Sequence, residues 1–264
     1  MNTALSRLAI SAAVILQAAC VTGHRTLELP STSAAQVPTS VLGHVYIASV
    51  TDDRKFENKP SDPSIPSIAG DVTTMTAADK DQMIGRQRNT WGHAMGDIKL
   101  PGGETVTQRV RVIAVEALAR DGYQVTDNPN APTKVAISIN EFWAWMNPGF
   151  WTLTFQAKIM CTVGVNNGDG RTHSVVARGY GTNPGQFAKD VNWQDAYAPA
   201  LEDFRTNLAS ALQQTGLRAD GKDASPAPSR EKYDQIAKLK QLLDSGALTQ
   251  TEFDREKAKV LGQP

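Results

Sequence analysis

Few residues of this 264-residue chain are placed to do chemistry, and most of those stand alone. The four histidines, His24, His44, His93 and His173, are scattered along the chain. No Gly-x-Ser-x-Gly elbow, phosphate-binding loop, His-Glu-x-x-His pair or Cys-x-x-Cys pair occurs. His93 and Asp97 have the i, i+4 spacing that two metal ligands on one helix face would need, yet two ligands do not make a site. Cys161 falls in an alternating apolar run with no adjoining basic residue to lower its pKa. It reads as a small buried hydrophobe, with a reactive thiol as the alternative. Asp52-Asp53-Arg54 is the most site-like polar cluster, in which an Asp–Arg pair would pin a following loop against a sheet. Without a nucleophile or second acid beside it, the cluster is expected to be structural. The residues therefore imply no catalytic group, no metal and no cofactor.

The other cysteine, Cys20, does point to chemistry. Arg7 is followed by the apolar run Leu8–Leu16 and then by Gln17-Ala18-Ala19-Cys20. A basic start, a short apolar core and small residues make an export signal. The Cys after the small residues resembles a lipobox, in which that Cys becomes the acylated N-terminus; Gln17 stands where such a box usually has Leu. Ordinary secretion and a short N-terminal membrane helix are the alternatives. No later run approaches the roughly 20 apolar residues that cross a bilayer as a helix. Lys and Arg total 27, as do Asp and Glu, so no basic patch calls for a nucleic-acid partner.

The elements behind these residues fall into a simple order. Residues 1–20 are the leader and 21–40, rich in Ser, Thr, Ala and Pro, a flexible tether. Residues 41–215 form one α+β domain. Its first strand lies around His44–Val50, and the long Pro- and Gly-rich stretch Thr51–Glu104 is either functional or partly disordered. Val106, Val110, Ile113, Ala117 and Leu118 mark a helix over Thr105–Asp121, stopped at Gly122. An antiparallel meander follows, with register argued from parity: Trp145 opposite Trp151, Trp143 opposite Leu153, and Val135 opposite Cys161. A second helix runs over Asp195–Gln214, where Pro199 is expected in the first turn. The expected fold is a mostly antiparallel sheet packed by these two helices, with a linker at 216–229 and a helical hairpin at 230–264.

Trp143, Trp145, Phe150 and Trp151 gather at one end of the meander and form the candidate binding surface for a protein or lipid. The alternative is burial beneath the Thr51–Glu104 stretch or an N-terminal helix. In the hairpin, Leu239, Leu243, Phe253 and Leu261 supply apolar faces, and Thr249–Glu252 is a capping box.

Lys238–Gly246 followed by Leu248-Thr249 and Glu252-Phe253 closely resembles the SHOCT module, a short C-terminal hairpin behind many unrelated bacterial domains. That resemblance implies an oligomerisation or interaction element without catalysis. Val45-Tyr46-Ile47, Asp52-Asp53-Arg54, Ile84-Gly85 and the Val106–Gly122 helix resemble the YajG-like family of small periplasmic lipoproteins. The insertion between Asp53 and Gly85 is longer here, and the C-terminal module is added. The resulting expectation is a non-enzymatic lipoprotein anchored through Cys20. With Val21 rather than Asp after Cys20, it would sit in the outer membrane facing the periplasm. It would bind an unknown envelope protein or form a homo-oligomer through its hairpin. The alternative function is a binding module for a lipid, glycan or small apolar ligand at the Trp-rich end.

Overall fold

The computed structural model describes residues 24–30, 41–89, 93–217, 230–244 and 248–261. The leader and Cys20 lie outside those residues, as do most of 21–40 and of the 216–229 linker. In chain order the elements are β1 (Arg25–Thr26), β2 (Gly43–Asp52), α1 (Ala77–Asp81), β3 (Met83–Arg88), β4 (Ala94–Lys99), α2 (Val106–Arg120) and β5 (Tyr123–Val125). There follow β6 (Thr133–Pro148), β7 (Leu153–Asn166), β8 (Thr172–Gly185), α3 (Asp190–Gln214), α4 (Arg230–Asp244) and α5 (Gln250–Leu261). The fold is α+β, but its sheet is mixed rather than mostly antiparallel. Pairings β1–β4, β2–β5, β2–β6 and β3–β6 are parallel; β3–β4, β6–β7 and β7–β8 are antiparallel. The long ribbons are the antiparallel ones. Parallel neighbours far apart in sequence leave no turn signature, which is why alternation alone misses them.

β6 organises the sheet. β7 pairs with it from Lys134 to Pro148 along one edge. Its other edge is shared: β2 runs beside Thr133–Ile139, and β3 joins at Ala144. Between these two stretches β6 carries a bulge. Ile139 lies opposite Cys161 while Glu141 lies opposite Met160, so Asn140 is an extra residue. Because side chains alternate with period two, one extra residue exchanges the faces. Val135, Ile137 and Ile139 before the bulge, and Phe142, Ala144 and Met146 after it, all enter the same core. Trp143 and Trp145 are thereby sent to the opposite face. The register expected from parity is corrected accordingly: Trp145 faces Gln156, Trp143 faces Lys158 and Val135 faces Val165.

α2 and α3 cover the core face. Thr105 caps α2 in a box with Gln108, and Asp121 closes it before Gly122 at φ 86°, so the expected range was right to within its caps. α3 begins five residues earlier than expected and holds Pro199 in its interior. A mid-helix Pro costs about 3 kcal/mol. Burial of Trp193, Ala196, Tyr197, Leu201 and Phe204 offsets that cost. α3 lies almost on the backbone of β8. A Cβ on Gly179 or Gly181 would come within 2.1 Å of the Ala200 or Ala196 carbonyl oxygen, so only Gly permits this approach.

The expected tether is in part folded. Arg25–Thr26 pairs with β4 as an edge strand, and Leu27 and Leu29 enter the core. Two leucines at alternating positions in a Ser- and Thr-rich run are a short signal, which composition hides.

Candidate functional site

The Asp52-Asp53-Arg54 cluster sits where β2 leaves the edge of β6 and β3 replaces it. The Asp53 amide donates to the Ile139 carbonyl (2.9 Å), after which the chain turns away. Arg54 fills the fork. Its Nε and Nη2 each donate to the Asp52 carboxylate at 2.7 Å. Nη1 donates to the carbonyls of Met83 (2.6 Å) and Phe142 (2.8 Å), and Nη2 also to that of Lys80 (2.8 Å). All five guanidinium N–H groups are thus engaged. A planar fork of donors suits this place, because a bulge and a strand exchange leave carbonyls aimed inward without ladder partners. Phe56 lies against the guanidinium, 5.2 Å from its ring centroid. Asp53 is exposed, and its carboxylate accepts from the Thr51 hydroxyl (3.1 Å). An open groove of about 500 Å³ borders Asp52, Arg54, Phe56, Lys80 and Asp81. The Asp81 carboxylate is bonded in turn to the Thr107 amide and hydroxyl. This cluster holds two strands and a helix together.

Beyond the fork, residues 56–76 fold back over the face to which the bulge sent the tryptophans. Trp143 and Trp145 are buried there with Ile68 and Met83, and Phe56, Val72 and Met75 pack around them. The Trp143 indole N–H donates to the Pro63 carbonyl (3.2 Å), and its ring meets Phe56 edge-on. Further bonds fix the cover. Arg86 donates to the Ile68 carbonyl, Arg88 to that of Pro60, and the Ala69 amide to the Asp97 carboxylate. Trp143 and Trp145 are therefore interior residues, not part of a binding surface. His93 and Asp97 lie at and within extended β4, where four residues span about 13 Å, so they cannot chelate one ion. Among the described residues no group of three or more His, Cys, Asp or Glu could hold a metal. Burial pushes the Cys161 thiol far above its ordinary range and makes it a poor nucleophile.

Phe150 and Trp151 differ from the other two aromatics of the candidate surface. They are 90% and 83% exposed, in edge-to-face contact at the β6–β7 turn. Leu153 pairs with Gly185, so the β8–α3 junction emerges at the same pole. That junction presents Phe187, 66% exposed, with the Lys189 ammonium 5.9 Å from its ring centroid. Sequence reading missed Phe187; its signal is a single aromatic inside a polar, Gly-containing run. Arg25 reaches this pole too, donating to the Ala188 carbonyl (2.9 Å) and pairing with Asp190.

α3 spans about 37 Å and carries the chain to the other pole. There Asn167, in the β7–β8 turn, donates to the carbonyls of Thr215 and Gly216, and Tyr123 to that of Leu217. Further on, α4 and α5 contact one another. Phe253 is buried and Leu239 and Leu243 are half-buried; the Leu261 side chain is outside the described set. The Glu252 amide donates to the Thr249 hydroxyl (3.4 Å). The Glu252 carboxylate accepts from the Thr249 amide (3.0 Å) and hydroxyl (2.8 Å), and these two bonds hold its carboxyl below the usual range.

Residues 234–261 match the family model of SHOCT, the short C-terminal domain. No curated protein matches the chain. Among solved structures, a Xanthomonas campestris protein of family-model DUF330 is similar at 12% identity and a TM-score of 0.41. The likeness covers 73% of this chain and 98% of that one. A minor lipoprotein from Acinetobacter baumannii is similar at 12% identity and a TM-score of 0.32, over 44% of this chain and 91% of that one. Among the described residues no helix is long and apolar enough to cross a membrane.

Proposed function

We propose that the chain is a non-enzymatic cell-envelope lipoprotein of the YajG-like kind, held in the outer membrane through Cys20. It acts by protein binding or self-assembly through its C-terminal hairpin. The observation that carries this reading is the SHOCT module at 234–261, whose helices α4 and α5 pack into a hairpin. Such a hairpin of about 30 residues buries too little surface to stand alone and gains stability by associating. The polar groups best placed for chemistry support the same view. Arg54 has every donor committed to holding the fold. A ligand site at the Trp-rich end takes second place, because residues 56–76 already cover Trp143 and Trp145.

Size-exclusion chromatography with light scattering tests the assembly role. The full chain from Cys20 is expected to run at two or more times its monomer mass, and a chain ending at residue 229 as a monomer. Equal masses for the two would overturn self-assembly.

A further inference from the structure

Phe150, Trp151 and Phe187 make an exposed aromatic pole that the core does not use. Singly exposed apolar residues are ordinary; three large aromatics projecting from neighbouring turns of one pole are not. The course of the chain says what covers them. Going backward from Glu28, which accepts from Gln194 in α3, to Arg25, which binds the Ala188 carbonyl, the chain climbs toward the start of α3. It therefore leaves the body beside Phe187. Cys20 is five residues farther on, a reach of at most about 18 Å.

Resting on the reading of Cys20 as acylated, we propose that the Phe150–Trp151–Phe187 pole is a membrane-contact surface, seated at the headgroup–acyl boundary of the bilayer that holds Cys20. Amphipathic and aromatic rings favour that depth. Lys189, beside the Phe187 ring, is placed to meet anionic headgroups. A short tether then serves more than retention: together with the aromatic pole it fixes the orientation of the body. Asn167 and Tyr123 hold Thr215–Leu217 at the opposite pole, away from the bilayer.

Trp151 serves as the reporter in a Trp91→Phe background, which is the wild type of the comparisons that follow, since Trp143, Trp145 and Trp193 are buried. The native protein, extracted from membranes, is reconstituted in phosphatidylethanolamine–phosphatidylglycerol vesicles whose acyl chains are brominated. Indole emission is expected to be quenched at least twofold more in the wild type than in Trp151→Phe. The pair Phe150→Ser with Phe187→Ser keeps the reporter, and is expected to lose at least half of the quenching with an unchanged circular-dichroism spectrum. An acylated, vesicle-bound wild type quenched no more than Trp151→Phe would overturn the membrane contact, assign the pole to a protein partner, and leave the lipoprotein reading intact. A free thiol at Cys20 in the native protein would remove both.

Discussion

Trp145 and Trp151 stand six residues apart on one hairpin, yet one is 7% exposed and the other 83%. Residue type does not distinguish them. Trp145 lies past the Asn140 bulge, which turns it away from α2 and α3, and the 56–76 segment supplies a second, smaller core to receive it. Trp151 lies in the turn, beyond the reach of that cover. The difference teaches that exposure in an aromatic-rich hairpin is decided by strand phase and by what returns over the sheet. Of the four aromatics that composition groups together, two belong to the fold and two to the surface.

The largest effect is expected from Arg54→Ala, read in chemical denaturation, because it strips three inward carbonyls and the Asp52 carboxylate of their partner. It should cost about 3–5 kcal/mol, and Arg54→Lys should recover little of it, having no planar fork. Trp143→Ala should cost about 3 kcal/mol and make the 56–76 segment the first site cut in limited proteolysis. Trp151→Ser should change stability by less than about 0.5 kcal/mol. A large loss for Trp151→Ser would mean that the turn is packed after all, and would erase the distinction between the two tryptophans.

The elements that specify themselves locally were legible in the sequence. α2 is bounded by Thr105, Gln108 and Gly122, whose side chains and backbone do the capping. The Thr249–Glu252 box is equally local. The parallel pairings of β2 with β5 and β6 were not legible, since nothing near either strand names a partner some 80 residues away. The bulge did leave a trace. Glu141 stood as a lone charge on a face otherwise apolar, and Phe142 and Met146 began a second apolar series of opposite parity. A charge interrupting one series just where another begins is the mark of a phase change, and the parity argument read through it. At the candidate site, Asp52 and Arg54 were legible as a pin. The carbonyls they hold belong to Lys80, Met83 and Phe142, which only the folded sheet brings near. Phe187 was missed because its significance comes from the neighbouring β6–β7 turn rather than from its own surroundings.

The proposed anchoring seats the aromatic pole beside the bilayer that holds Cys20. Intact-mass analysis of the protein taken from the envelope of its native cell tests that anchoring most directly. A mature chain that starts at Cys20 and carries added acyl mass is the predicted result. A chain that still begins at Met1, with Cys20 unmodified, would contradict it.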